Sequence, residues 1–536
     1  MKILMIVPKY SLTNYKFYKY FFPLGLTYIS AVIKKAGYDI DYLNLNHLEG
    51  KIEDLVKSKL DSKNYDIVCT GYIAIGYAII EKIINSVKKH ESKPKIILGG
   101  AIITTETQLI FDSLKPDYGV LREGEITIIE LLKCIEKKGD LKKVDGICYK
   151  DENGQLIITK PRALIKNLDS IPFPDLDGLG FKEYLDNQSC AWDNGSFTLL
   201  DYPRHYQILC SRGCAYNCTF CYHILEKYRL RTLDNVFEEI ELVTKKYNIN
   251  SLYIEDDLFS ANRERLLDFC KRIKELNKKI GYEIIWVCSL SVNNVDDELL
   301  RILKDSGCKV VGYGFESYSP IVLKSMKKPI TPEQINDGFY KTIGAGIAVQ
   351  ANFIFGDTAE TKETARETID WWKKNANGQV SLEFIQPYPG SEMYNRCVRK
   401  GIIKDRLDFI KNKLPFVNWL NMTDNMTDEE IIKLKNEILE LRKDYAYSIP
   451  SKIKKFKRNV YDINVKCPFC KEIITYKNCY IENRLRYTFF VVCRKCPHRF
   501  FIFSPLKKIQ VDNYTKIQVI NKSYIRLRDK ILKKFL

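Results

Sequence analysis

Residues 210–223 read "CSRGCAYNCTFCYH" and hold four cysteines and one histidine in fourteen positions. Zinc knuckles and thiol redox motifs use two-residue gaps between cysteines. Cys214, Cys218 and Cys221 are instead separated by gaps of three and then two residues. Such a triplet places three thiolates around one face of a loop, which suits three irons of a cubane cluster. The fourth iron is then left without a protein ligand. An open iron is a Lewis acid to which a substrate can bind directly. Cys210 falls outside the pattern, on a strand-like segment, and reads as structural. His223 directly follows the triplet and is expected to line the site rather than ligate iron. A chance cluster of structural cysteines is the bland alternative, and its position just past a strand argues against it.

A second set has a different spacing. "CPFC" (467–470) and "CRKC" (493–496) are two Cys-x-x-Cys knuckles separated by 22 residues. Cys467, Cys470, Cys493 and Cys496 therefore fit a four-thiolate site, a zinc ribbon or a rubredoxin-like iron centre. With every ligand supplied by protein, that site is structural, and so small a module needs its metal to fold. Cys479 is spare. Cys69, Cys134, Cys270, Cys288 and Cys308 lie in apolar segments and read as small hydrophobes.

The elements that must position these residues follow from hydrophobic pattern. At 536 residues, with 45% hydrophobic and 28% charged, the chain is globular and long enough for two to four domains. Residues 1–160 alternate strand-like runs ("KILMIVP", "YDIDYLNL", "YDIVCTGY", "PKIILGG") with helix-like ones, which argues a doubly wound, Rossmann-like parallel sheet. Ligands of such sheets sit at the strand carboxyl ends, where glycines let a bulky group approach. Pro172 and Pro174 forbid a helix in a linker over 161–203. The alternation resumes over 204–400 with six strand candidates, enough for a partial (β/α)6 barrel whose site lies at the strand carboxyl ends. A helical extension over 401–450, capped at Thr427, precedes the cysteine knuckles of 451–536.

"C-AYN-C-TF-C" resembles the cluster motif of the radical S-adenosylmethionine (SAM) superfamily, down to the aromatic Phe220 before the third cysteine. The resemblance implies a 4Fe–4S cluster on Cys214, Cys218 and Cys221, with SAM on the open iron. One electron would cleave SAM to methionine and a 5′-deoxyadenosyl radical that abstracts hydrogen from unactivated carbon. It further implies SAM contacts at Glu255, Asp256 and Asp257 in "YIEDD" and at Glu316 in "GYGFES". "FIFGDTAET" is similar to the family's fifth-strand turn, with Thr358 and Ala359 replacing its Pro and Gly. Where relatives carry an arginine on the third strand this chain has "CSLSVNN", so no basic partner for the SAM carboxylate is assigned. "PLGL", "TGYIA", "LGGAIITT", "REGE" and "IPFPD" resemble the superfamily class with a cobalamin-binding domain ahead of the barrel. Gly71, Gly99, Gly100, Gly124 and Glu125 are its candidate cofactor contacts. The Asp-x-His-x-x-Gly loop of other cobalamin proteins is absent after the first strand, and His47 lies elsewhere, so cobalt is expected to have no histidine beneath it. A degenerate platform that no longer binds the corrin is the alternative.

The resemblance implies hydrogen abstraction and, with cobalamin, methyl transfer. A radical cyclase or oxidative rearrangement enzyme without methyl donation is one alternative. A metal-ribbon membrane- or nucleic-acid-binding protein with a vestigial barrel is another. A flavodoxin- or ferredoxin-type protein would supply the electron.

The formal charge of +18 lies almost wholly in residues 451–536, which hold 22 Lys and Arg against 5 Asp and Glu. Such lopsidedness implies an anionic partner there, with a membrane surface or a phosphorylated or lipid-linked substrate favoured over RNA. Ile525, Leu527, Ile531, Leu532 and Phe535 are spaced like one face of an amphipathic basic helix. No apolar run of about 18 residues is present to span a membrane. "MKILMIVPKY" suits a buried strand better than a signal peptide. Seventeen cysteines without an export signal indicate reduced thiols and metal ligands. The expected location is cytoplasmic, including peripheral attachment at the membrane.

Overall fold

The computed structural model describes residues 1–10, 16, 19–190, 198–222, 227–376, 378–416 and 420–513. His223 and the basic stretch 525–535 lie outside the described residues.

The first sheet has seven strands in the order β2-β1-β3-β4-β5-β6-β7. They are β1 (Lys2–Val7), β2 (Asp39–Asn44), β3 (Ile67–Gly71), β4 (Lys95–Gly99), β5 (Tyr118–Val120), β6 (Ile147–Lys150) and β7 (Leu156–Ile158). Strands β1 to β5 run parallel with helices between them. In β1, between β2 and β3, Ile3, Leu4, Met5 and Ile6 are wholly buried, because helices cover both faces and the strand is apolar after Lys2. The last two strands pair antiparallel, which the strand–helix alternation does not anticipate. Five residues join β6 to β7, too few for a helical crossover, and Asp151 Oδ1 caps the turn by accepting from Asn153 and Gln155 N at 3.0 and 2.8 Å.

The linker folds back onto this sheet. Asp175 accepts hydrogen bonds from Ser30 Oγ (2.6 Å) and Tyr42 Oη (2.7 Å) and pairs with Lys34. The two prolines exclude an α-helix from their own stretch, but a short helix, Phe181–Asp186, follows.

The second sheet is β8 (His205–Ile208), β11 (Ser251–Ile254), β12 (Ile285–Leu290), β13 (Cys308–Glu316), β14 (Ala348–Phe355) and β15 (Val380–Phe384). All six are parallel and neighbours in chain order, with β8 and β15 as the edges, as a partial barrel requires. Between β8 and the next helix, Leu233–Tyr247, lies a small antiparallel pair, β9 (Ser211–Arg212) and β10 (Arg229–Leu230), which brackets the cysteine triplet.

The helix Asp428–Leu441 starts at a reciprocal cap, Glu430 N to Thr427 Oγ1 and Thr427 N to Glu430 Oε2. Two three-stranded sheets follow. One contains β16 (Tyr447–Ser448), β20 (Thr488–Val492) and β21 (Arg499–Phe503); the other contains β17 (Lys452–Lys457), β18 (Val460–Lys466) and β19 (Ile473–Tyr480). Val492 packs with Val287, Val310 and Ala348 near the amino ends of β12, β13 and β14. This last module thus covers the end of the barrel opposite the strand carboxyl ends. Gln379 fastens it by exchanging two side-chain bonds with the Arg499 backbone, at 2.7 and 2.8 Å. No helix among the described residues is long and apolar enough to cross a membrane.

Candidate active site

At the carboxyl ends of the central barrel strands lies a cavity of about 340 Å³. Cys214, Cys218 and Cys221 reach it from the loop after β9, and Asp257, Glu316 and Lys328 line it from other elements. Backbone bonds seat the cysteine loop: Thr219 N donates to Met326 O (3.1 Å) and Met393 N donates to Thr219 O (2.9 Å). Cys214 Sγ accepts from Tyr216 N at 3.4 Å. The Cys218 and Cys221 thiols share a hydrogen bond that lowers the proton affinity of Cys218 and raises that of Cys221.

Lys328 is the residue that sequence reasoning missed. Its ammonium pairs with Glu316 at 3.0 Å, the two side chains being 14% and 10% exposed. Burial alone would lower the lysine's pKa, but the Glu316 carboxylate and the Cys218 and Cys221 sulfurs outweigh it and raise it. The pair constrains the strand beneath it. Glu316 has a positive φ of 62° at a register shift of β13. A Cβ on Gly314 would collide with Glu316 Oε1 and stand 2.6 Å from Lys328 Nζ, so a side chain there would displace the pair. Lys328 lies in the loop "MKKPI", which carries no recognisable signal.

The three acids after β11 diverge, as consecutive residues leaving a strand must. Asp257 lines the cavity. Asp256 instead accepts from Cys210 N (2.7 Å), Ser211 N (3.0 Å) and Ser211 Oγ (2.6 Å), and burial pushes its carboxyl up to about 6. It fastens the start of the cysteine loop, and Cys210, fully buried, is structural. Glu255 accepts from Gln207 Nε2 (3.1 Å), whose Oε1 in turn accepts from Phe22 N (2.9 Å) near the first domain. Phe220 packs in a hydrophobic cluster shared with the first domain. Cys288, read as a core residue, also lines the cavity wall.

In the first domain, three of the four glycines answer to the protein's own packing. A Cβ on Gly71 would lie 2.8 Å from Gly99 O, on Gly100 2.7 Å from Tyr72 O, and on Gly124 2.9 Å from Ile29 Cδ1. Gly99 faces open space. Glu125 is turned toward the barrel, where Arg212 holds it at 2.6 Å. His47 is buried against Tyr20 Oη (2.8 Å) and Glu183 (3.4 Å), and burial pushes its pKa down to about 4. The two domains touch at the cavity rim: a Cβ on Gly390 would come 2.8 Å from Thr105 Cγ2 and 3.2 Å from the Tyr222 ring. Tyr222 Oη and Ser291 Oγ line the cavity, buried and without a partner among the described residues. A buried unpartnered hydroxyl costs about 1–3 kcal/mol, so both are suited to a polar ligand.

In the C-terminal module the Sγ atoms of Cys467, Cys470, Cys493 and Cys496 all lie within 4.8 Å of one another. Cys467–Cys496 and Cys470–Cys493 are each 3.7 Å apart. Tetrahedral bonds of about 2.3 Å to sulfur imply separations of about 3.8 Å, so the quartet fits one ion. Phe469 N and Cys496 N each donate to a knuckle sulfur at 3.4 Å, which stabilises thiolate charge.

Residues 208–371 match the family model of the Radical SAM superfamily, and residues 11–132 match that of the B12 binding domain. An uncharacterized methyltransferase of Pyrococcus horikoshii is 29% identical over 79% of this chain and 86% of its own length. The anaerobic magnesium-protoporphyrin IX monomethyl ester cyclase of Rubrivivax gelatinosus is 25% identical over 81% of this chain and 75% of its own. Among solved structures, the radical SAM methyltransferase TsrM of Kitasatospora setae, with cobalamin and a 4Fe–4S cluster bound, superimposes with a TM-score of 0.59. That match covers 74% of this chain and 76% of TsrM at 18% identity. The chain thus carries a radical SAM domain with a B12-binding domain ahead of it.

Proposed function

We propose that the protein is a cobalamin-dependent radical SAM enzyme that methylates a carbon of its substrate. The observation that carries this reading is the convergence of Cys214, Cys218 and Cys221 on a strand-end cavity whose rim is shared with the B12-binding domain. When bound, the cluster supplies the electron that cleaves SAM and the corrin supplies a methyl group. The three cysteines hold the cluster, and an external flavodoxin- or ferredoxin-type protein delivers the electron. Lys328 binds the SAM carboxylate, the role for which the third strand lacks an arginine, and Asp257 and Glu316 face its ammonium. Tyr222 and Ser291 donate hydroxyls to SAM or substrate. The glycine-bearing strand ends, Gly99 above all, border the corrin. His47, bonded on both ring nitrogens, leaves cobalt without a histidine ligand.

The four C-terminal thiolates hold zinc or iron. In the same module β17 presents Lys452, Lys454, Lys455 and Lys457 to solvent with Phe456, which is 65% exposed, and Arg458 in the following turn is exposed too. That basic edge supports an anionic partner, a membrane surface or a phosphorylated substrate; sedimentation with anionic but not neutral vesicles distinguishes the first from the second.

The reading is tested by supplying reconstituted protein with reductant, cobalamin and SAM deuterated at its S-methyl group. Formation of 5′-deoxyadenosine together with S-adenosylhomocysteine is expected. 5′-Deoxyadenosine without S-adenosylhomocysteine would overturn methyl transfer and favour the chemistry of the cyclase relative. A second result is expected at Lys328. Lys328→Met should weaken SAM binding about tenfold or more and leave Glu316 buried and unpaired, at a cost of about 3–5 kcal/mol. The double variant with Glu316→Gln should recover the melting temperature but not SAM affinity. Recovery of both would assign the pair to stability alone.

A further inference from the structure

Arg212 of β9 and Arg229 of β10 are directly opposite partners, so the strands that bracket the cysteine loop set two guanidinium groups face to face. Like charges opposite one another destabilise a strand pair. Here both are largely but not wholly buried, at 12% and 11% exposure, and the pair has only two residues per strand. Backbone bonding over so short a ladder is a weak restraint.

The opposing charge comes from another domain. Glu123, in the loop after β5, places Oε1 2.8 Å from Arg212 Nη1 and 3.0 Å from Arg229 Nη1. Its Oε2 accepts from Arg229 Nη1 and from Ile165 N of the linker, both at 2.9 Å. Arg229 also donates to Ile165 O at 2.6 Å, and Glu125 takes the second nitrogen of Arg212 at 2.6 Å. Two carboxylates thus neutralise two guanidinium groups between the B12-binding domain and the barrel. Glu123 alone bridges both arginines.

We infer that Glu123 is a positioning residue by which the B12-binding domain closes the cysteine loop. The sixteen residues between β9 and β10 carry all three cysteines. Without the Glu123 charge the two arginines repel across the base of that loop. Docking of the first domain and closure of the ligand loop are therefore one event. The inference about ligation rests on the reading that Cys214, Cys218 and Cys221 hold the cluster.

Amide hydrogen exchange on the full-length, cluster-free chain tests the clamp without a cofactor. Wild type, Glu123→Gln, Arg229→Met and the double variant are compared in peptides covering 205–212 and 229–233. Glu123→Gln should exchange about tenfold faster there, the ratio for about 1.4 kcal/mol of lost closure. Exchange in β13 should be unchanged, which reports that the barrel is folded. Arg229→Met removes one of the repelling charges, so the double variant should exchange more slowly than Glu123→Gln alone. Equal exchange in wild type and Glu123→Gln would overturn the inference, as would a double variant no slower than the single. After reconstitution, Glu123→Gln should lose iron to a chelator faster than wild type. A wild type that takes up no iron at all would sink the cluster reading and leave the exchange result to decide the clamp.

Discussion

Replacing Cys218 with alanine should abolish cluster iron and SAM cleavage together while the protein stays folded. Acid-labile sulfide and cluster iron are expected to fall from about four each per chain to background, leaving only the ion of the C-terminal quartet, because a site with only two thiolates no longer retains a cubane. Formation of 5′-deoxyadenosine should fall with them. Retention of the fold follows from how the loop is seated. Thr219 is bonded through its backbone to Met326 and Met393, and none of those bonds uses the Cys218 sulfur. Truncating a small buried thiol costs about 1 kcal/mol, within what a domain tolerates. Cys210→Ala and Cys288→Ala supply the contrast. Cys210 is held through its backbone by Asp256, and Cys288 lines the cavity wall from β12, so both variants should keep their iron. Iron content at the wild-type level in Cys218→Ala, or its loss in Cys210→Ala, would show that the triplet is misassigned.

What the sequence makes legible and what it hides divide by range. The cysteine triplet and each barrel strand are local patterns, and the knuckles pair across 22 residues; in the structure the triplet lines the strand-end cavity and the four knuckle sulfurs converge. Lys328 was not legible because its meaning lies in Glu316 and the cysteines across the cavity rather than in its neighbours. Glu123 falls in "REGE", a candidate cofactor loop by sequence, yet its arginine partners are 89 and 106 residues away. The acids of "YIEDD" form one group in the sequence, but a strand end turns successive side chains in different directions, and of the three Asp257 lines the cavity. Three of the four loop glycines admit the protein's own backbone and side chains, a requirement that spacing cannot distinguish from room for a ligand.

Val492 and Arg499 are seated beneath the barrel, so a metal held by the C-terminal quartet should contribute to barrel stability, and Cys493→Ser should reveal it. Structural zinc contributes about 10–16 kcal/mol to isolated zinc-finger peptides, as much as the whole stability of a typical domain. Loss of one ligand should therefore release the ion and unfold the module, seen as cleavage within 451–513 by a protease that leaves wild type intact. The barrel then loses two supports. Val492 leaves Val287, Val310 and Ala348 facing water. Arg499, fully buried with its guanidinium over Phe490 at 4.7 Å and bonded to Val349 O, is pulled from beneath β14, and Gln379 loses both its bonds. A lower melting temperature of the barrel is expected, alongside a fall in zinc or iron at this site from one per chain to none. Cys479→Ser is the control, since Cys479 is buried outside the quartet and should keep the ion. Val492→Asp separates metal from plug. It should retain the ion yet destabilise the barrel, because it places an uncompensated charge against three buried aliphatic side chains. A Cys493→Ser protein whose barrel melts as wild type would show that the ribbon is an independent module and that its contact with the barrel carries no stability.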